Sequence, residues 1–330
     1  MLRLVPLLLL AAAAAAAQST GNSMGIWSPL YYKINPSRDD EYAKFISAVA
    51  ADKCLTSAFQ GAILTGPTSR PPPLKNDDSP GREARGEEYQ RRFDYLYDAG
   101  GWQPFGYIYT NYARRPLDAV LEDVTRWCDA VNGYRGSIRG VFIDSVVKSF
   151  EDDAEVKGYY DAVVAAVKSE CSDYVMVMLN PGTAFTECAW LQENNIGFVN
   201  GFEDTYKTYQ ESSASKGLGC PCKDTKLADG SAVRCIASVH SVPEDIDEAG
   251  AGALMQDFSD NGFSAIFLTE GRFPKHYETV PTIWPVTAKA ACKVQAYTPG
   301  AAAASNATAA DGAAAGARRL LSGNRRAMAA

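Results

Sequence analysis

The stretch Gly140-Val141-Phe142-Ile143-Asp144-Ser145 runs four apolar or small residues straight into a carboxylate, and the run Gly197–Glu203 also closes on an acid. An acid ending an apolar run is unfavourable unless it has partners that hold it or chemistry to perform. Two facing acids can divide proton transfer from nucleophilic attack, one staying protonated while the other is ionised. Tyr31, Asn180, His240 and Glu270 stand at or near the ends of comparable runs. Tyr32, Tyr107, Tyr109, Tyr112 and Tyr206 supply further rings and hydroxyls nearby in the sequence pattern. Paired carboxylates with aromatic and amide neighbours are equipment for holding and cleaving a sugar acetal. The same tyrosines are equally suited to core packing.

Other chemistries are poorly supplied. His240 and His276 are the two histidines, which leaves little for a Ser-His-Asp triad. Cys220-Pro-Cys222 is a CxC pair rather than the spacing of a zinc site, and no cofactor or metal is expected. No glycine-rich phosphate loop is present. A net charge of −7 opposes nucleic acid as a partner, because phosphate binding needs a basic face.

The acids need a scaffold, and the hydrophobic pattern supplies one. Eight short apolar runs read as strands: Ile26–Lys33, Gly61–Thr65, Pro104–Thr110, Ile138–Asp144, Tyr174–Leu179, Gly197–Glu203, Cys235–His240 and Ser264–Thr269. Several are nearly continuous in apolar residues, as strands covered on both faces must be. Amphipathic segments lie between them. Ser37 to Asp40 resembles a capping box ahead of Tyr42, Phe45, Ile46 and Val49. Pro116 suits a first helical position before Leu117, Val120, Leu121, Val124 and Trp127. Tyr159, Tyr160, Val163, Val164 and Val167 repeat that spacing, and Val242 to Asp245 open another helix.

Eight strand–helix units predict an α/β fold, a single-domain (β/α)8 barrel of the TIM type. An open doubly wound sheet is the alternative, without its usual glycine fingerprint. In a barrel the functional face lies at the C-terminal ends of the strands. Side chains alternate along a strand, so Asp144 shares a face with Phe142, which points inward if Val141 and Ile143 face the helices.

The two ends of the chain differ from this middle. Residues 1–17 read as a signal peptide, with Arg3, an apolar run and a cleavage site around Ala15 to Ala17; a membrane anchor is the other reading. The run is too short to span a bilayer, so the protein is expected to be secreted, with no membrane span. Residues 299–330 are mostly Ala and Gly and predict a disordered tail, which holds the sequon Asn306-Ala307-Thr308. The barrel domain then covers residues 18–298. Eight cysteines in an oxidising compartment predict disulfides. Barrel neighbourhood suggests Cys54 with Cys292, Cys128 with Cys171, and Cys188, Cys220, Cys222 and Cys235 paired among themselves. The charged insertion Gly66–Arg92 follows the second strand, which predicts a wall or lid on the functional face, or else a disordered insertion.

The order of several motifs resembles the spherulation-specific (spherulin-4-like) family of secreted barrel proteins. They are PLYYKINPS from Pro29, FGYIYTNYARRPLDAVLEDV from Phe105, GVFIDS from Gly140 and LNPGT from Leu179, followed by GFEDTY from Gly201, SVHSVP from Ser238 and IFLTEGRFPKHYETVPTIWP from Ile266. The resemblance implies a (β/α)8 fold and endo-acting cleavage of α-1,4-linked galactosamine or N-acetylgalactosamine polysaccharides. It places the functional acids at Asp144, as nucleophile, and Glu203, as acid/base. Tyr31, Tyr107, Tyr109, Asn180, His240 and Glu270 are then expected to bind substrate. Glu203 should be the more enclosed acid, while Asn180 should help hold Asp144 ionised. A polysaccharide is the expected partner of a monomer. The family's fourth strand ends in Asp-Glu, whereas this chain has Asp144-Ser145. The alternative to an enzyme is a carbohydrate-binding or extracellular structural protein on the same fold.

Overall fold

Strands that are apolar at every position must be covered on both faces, and the chain meets that demand by closing its sheet on itself. The computed structural model describes residues 23–30, 60–64, 89–90, 96, 102–129, 133–135, 137–150, 153–171, 175–214, 217–277 and 279–298. Eight parallel strands form a closed barrel in chain order: β1 Gly25–Leu30, β2 Gln60–Leu64, β3 Gln103–Tyr109, β4 Gly140–Asp144, β5 Met176–Asn180, β6 Phe198–Thr205, β7 Arg234–His240 and β8 Phe263–Leu268. The described helices between them are α1 Leu117–Cys128, α2 Ala154–Glu170, α3 Cys188–Glu193, α4 Tyr206–Ala214, α5 Glu248–Asp260 and α6 Trp284–Lys293. This is a (β/α)8 barrel, as the strand pattern predicts.

The alternation along each strand sorts the core into two layers. Trp27, Ile63, Phe105, Tyr107, Phe142, Met178, Phe198, Ile236 and Phe267 fill the barrel interior. Val141, Ile143, Val177 and Leu179 face outward and pack with Val120, Val124, Trp127, Val163 and Val167 of the helices. Phe142 is therefore inside, and Asp144, two residues on, shares its side of β4. A Cβ on Gly140 would collide with the Phe105 ring, so only glycine lets the two strands hold that ring between them. Trp127 docks α1 on the sheet and donates its indole N–H to the Tyr107 carbonyl at 2.9 Å. Fully burying such a ring contributes about 2–3 kcal/mol.

Helix starts differ from the sequence reading in two places. Pro116 has extended backbone (φ −52°, ψ 132°) and is the N-cap of α1 rather than its first helical residue. The segment from Val242 to Ile246 is a turn, closed by Ile246 N–H on the Pro243 carbonyl at 3.2 Å. Helix α5 begins only at Glu248, where the Asp247 carboxylate accepts from Gly250 N–H at 2.7 Å. A side-chain cap of this kind contributes about 1 kcal/mol, which fixes the boundary.

Three disulfides with both cysteines among the described residues staple the outer layer. Cys128–Cys171 joins the ends of α1 and α2, Cys188–Cys222 ties α3 to the connection before β7, and Cys220–Cys235 ties that connection to β7. The first is the expected pair, and the other two fall within the four cysteines expected to pair among themselves. Cys292 is also disulfide-bonded; its expected partner Cys54 lies outside the described residues. So do the proposed leader, the insertion up to residue 88, the capping box near Ser37 and the tail from residue 299. Among the described residues no helix is long and apolar enough to cross a membrane.

Candidate active site

The ends of β3, β4 and β5 lie level, with Tyr109 beside Asp144 and Asp144 beside Asn180 in register. That row forms one half of the barrel mouth. The other half comes from β6 and β7, where strict alternation fails. Asn200 pairs with Ile236 and Phe202 with Ala237, so Gly201 is an extra, bulged residue. A bulge resets which side chains point inward. Phe202 thereby turns outward onto Phe258 of α5, with ring centroids 5.4 Å apart. Glu203 then faces the mouth together with Asn200, although the two are an odd number of residues apart.

Asn180 joins the halves. Its one amide nitrogen donates to Asp144 Oδ1 at 2.7 Å and to Glu203 Oε2 at 2.7 Å. The two carboxylate oxygens thus lie within twice 2.7 Å of each other. The orientation of the Asn180 amide is fixed by its oxygen, which accepts from Gly182 N–H at 3.0 Å and from Asn200 Nδ2 at 2.9 Å. Gly182 has φ +65°, a conformation that glycine adopts without strain, and its carbonyl accepts Glu203 N–H at 2.9 Å.

Each acid has further donors. The Tyr107 hydroxyl donates to Asp144 Oδ2 at 2.5 Å. Tyr277 donates to Glu203 Oε1 at 2.8 Å, and Asn200 Nδ2 to Oε2 at 3.1 Å. Oε2 already accepts two N–H groups, which leaves Oε1 as the oxygen to carry a proton. Both acids are half-buried, so enclosure does not distinguish them as the sequence reading expected. Their electrostatics do. Burial first, then the charge of Asp144, pushes Glu203 up to about 7, against the pull of Asn180, Tyr277 and Asn200. Burial also raises Asp144, but Tyr107, Asn180 and both the hydroxyl and the backbone N–H of Ser145 oppose it.

The acids open into a pocket of about 360 Å³. Asp144, Ser145, Asn180, Glu203 and His240 line it, as do Tyr112, Phe273 and His276. Tyr112 and Phe273 are 50% and 77% exposed, the exposed large hydrophobic side chains among the described residues. Loop geometry holds Tyr112 in place. Asn111, Tyr112 and Ala113 have φ of 51°, 56° and 62°, three left-handed residues in series, a conformation costing about 1 kcal/mol or more for each. What compensates is the network at their base. Arg115 pairs with Asp123 while donating to the Tyr109 and Ala119 carbonyls at 2.9 and 3.0 Å.

The expected substrate-binding residues fare unevenly. Asn180 and His240 line the pocket. Tyr107 is buried beneath it and touches Asp144, so it positions an acid instead of lining the cavity. Tyr109 donates to Asn111 Oδ1 at 3.1 Å and packs against the barrel interior, outside the lining. Glu270 also lies outside the lining. The inward phase of β8 runs through Ala265, Phe267 and Thr269, so Glu270 turns away and accepts Thr282 N–H at 2.6 Å. Tyr206 packs beside Tyr209 in the outer core, with the two rings tilted by 35°. Tyr31 lies outside the described residues. Sequence reasoning missed Asn200, His276, Tyr277 and Phe273. Asn200 precedes Glu203 by three residues, which strict alternation assigns to the opposite face. His276, Tyr277 and Phe273 sit in a loop without periodicity.

A family model described as spherulation-specific family 4 matches residues 74–291, from before β3 into α6. No curated protein matches the chain. Among solved structures the chain is similar to Aspergillus clavatus Sph3 in complex with GalNAc, at 22% identity over 82% of this chain and 98% of that one, with a TM-score of 0.63. It is also similar to the endo-beta-1,4-mannanase from Thermotoga petrophila, at 10% identity over 84% and 76% of the two chains, with a TM-score of 0.48.

Proposed function

The chain belongs to the spherulation-specific family 4, and from that premise we propose that it is a secreted glycoside hydrolase cleaving α-1,4-linked galactosamine or N-acetylgalactosamine polysaccharides by a retaining, endo-acting mechanism. One observation carries the reading. A single amide nitrogen of Asn180 bridges Asp144 and Glu203 at 2.7 Å each, which supports the short separation that a double displacement needs, about 5–5.5 Å between carboxyl groups. Inversion needs about 6.5–9.5 Å, with a water between. The GalNAc bound to Sph3 supports an amino-sugar substrate.

In the first step an oxygen of Asp144 attacks the anomeric carbon while Glu203 Oε1 gives its proton to the departing glycosidic oxygen. The carbon–oxygen bond breaks, and the sugar stays esterified to Asp144. Glu203, now ionised, takes a proton from water, whose oxygen attacks the same carbon and displaces Asp144. The raised affinity of Glu203 for its proton, about 7, supports its use as the acid near neutrality. Asp144 must be ionised to attack, and its donors favour that form. Residues 1–17 as leader, 18–298 as catalytic barrel and 299–330 as tail complete the proposal, with the three disulfides supporting an oxidising compartment.

Ser145 favours a second reading, a sugar-binding protein with a dead site, because the family pattern has an acid there. The test is hydrolysis of a polysaccharide panel that includes α-1,4-linked galactosamine and N-acetylgalactosamine polymers. Oligosaccharide release with the new reducing end first formed as the α anomer is expected. Sugar binding without turnover establishes the second reading, and release of the β anomer overturns retention.

A further inference from the structure

The two exposed aromatics lie on opposite halves of the mouth, each bolted to a different acid. On one side Tyr112 N–H donates to the Ser145 carbonyl at 2.7 Å. Thr110 Oγ1 donates to the Asp144 and Ser145 carbonyls at 2.8 and 2.9 Å. Tyr112 therefore moves with the Asp144 turn. On the other side Phe273 stacks on His276, with centroids 5.7 Å apart and planes at 29°. His276 lies 4.5 Å from the His240 ring and 3.9 Å from Tyr277, whose hydroxyl holds Glu203. A continuous set of rings thus leads from solvent to Glu203.

The described side-chain contacts of His276 are ring contacts with Phe273, His240 and Tyr277. Its Nδ1 is buried with no hydrogen-bond partner among the described residues. Burial and the neighbouring His240 also depress its pKa to about 4, so the ring is neutral near pH 7. A neutral, stacked ring pair with an exposed outer phenyl presents an apolar face to a sugar's C–H surface.

Bond polarity then sets the direction of the chain. The attacked carbon must lie over Asp144, and the departing oxygen must lie against the Glu203 proton. We infer that the pocket reads a saccharide in one direction: Tyr112 receives the part that becomes attached to Asp144, and the Phe273–His276 stack receives the leaving-group sugar. This rests on the hydrolase reading above and adds to it a leaving-group subsite for a saccharide ring.

Two probes separate the subsites, an end-labelled α-1,4-linked N-acetylgalactosamine oligomer and N-acetyl-α-galactosaminyl fluoride, whose leaving group is too small to reach Phe273. Phe273→Ala is expected to lower kcat/KM for the oligomer on the order of tenfold relative to the fluoride. Phe273→Trp is expected to restore the oligomer. Tyr112→Ala is expected to lower both substrates by similar factors. Phe273 is largely exposed, so the melting temperature of its variants should match the native protein. Equal losses on the two substrates for Phe273→Ala, or no loss on either, overturn the subsite. A native protein inert toward both probes defeats the galactosamine-type hydrolase reading instead. Calorimetric binding of the oligomer then decides the subsite, and unchanged affinity in Phe273→Ala overturns it.

Discussion

Asp144 and Glu203 sit on the two halves of one mouth, share the donor Asn180 and are both half-buried, yet they differ in how they hold a proton. Asp144 spreads its donors over both oxygens, with Asn180 on Oδ1 and Tyr107 on Oδ2. Glu203 concentrates Asn180 and Asn200 on Oε2, leaving Oε1 to Tyr277 and the proton. Burial raises both acids, so solvent exclusion alone does not make one the acid and the other the nucleophile. What separates them is where the donors converge and whose charge acts on whom. A pair built this way assigns two roles to two similar groups without a large difference in burial.

The largest test of that asymmetry is amide replacement. Asp144→Asn and Glu203→Gln are each expected to lower turnover of the polymer by on the order of 10²-fold or more, with folding preserved. They should differ on a glycosyl fluoride, whose leaving group needs no proton. There Glu203→Gln should regain much of its first-step rate and Asp144→Asn should not; equal behaviour in a fluoride-release assay would remove the division of roles.

Stability supplies the next test. The fold raises Glu203 from its ordinary 4.5 to about 7. Between those values the folded state binds more protons than the unfolded state, so stability falls as pH rises and levels off above about 7. Glu203→Gln removes that penalty. Denaturant unfolding should find the variant more stable than the native protein by roughly 1–3 kcal/mol at pH 8 and similar to it at pH 4.

The tyrosine donors sharpen the comparison by acting on opposite limbs of the rate profile. Tyr107→Phe removes a donor that lowers Asp144, so the acidic limb should move to higher pH. Tyr277→Phe removes one that lowers Glu203, so the alkaline limb should move up instead. Each is expected to reduce kcat about tenfold, the size of one charge-assisted hydrogen bond. If both variants shift the same limb, the two acids titrate as one unit.

The smallest effect is expected at Ser145. Its hydroxyl and backbone N–H oppose the upward shift of Asp144, from a left-handed backbone at φ 56°. Ser145→Glu replaces the hydroxyl donor with a second charge, so the acidic limb should move to higher pH, with kcat changing only a few-fold. A pH profile identical to the native one would show that the position leaves Asp144 untouched.

Much of this site was legible because period two is strong where strands are short and apolar. The pattern placed Phe142 inward, and Asp144 followed from it. The same rule placed Asn180 and His240 at the mouth. It failed at Glu270, because Thr269 holds the inward phase, and it offered nothing for Phe273, His276 or Tyr277, which belong to an irregular loop. Cys128–Cys171 followed from the neighbourhood of successive helices around a barrel, whereas Cys188–Cys222 and Cys220–Cys235 were settled within their group of four only by the folded connection before β7.

The sequence by itself determined the eight-fold alternation, the layer to which most strand residues belong and the presence of an acid at the end of β4. Those are consequences of local periodicity and of the need to bury apolar surface on both faces of a strand. The aim of Glu203 was decided only in the folded chain. Strict alternation from Phe198 turns that carboxylate toward the helices, and the bulge at Gly201 turns it back into the mouth. A bulge is a mismatch between two strands, set by how β6 pairs with β7, so no pattern within β6 records it.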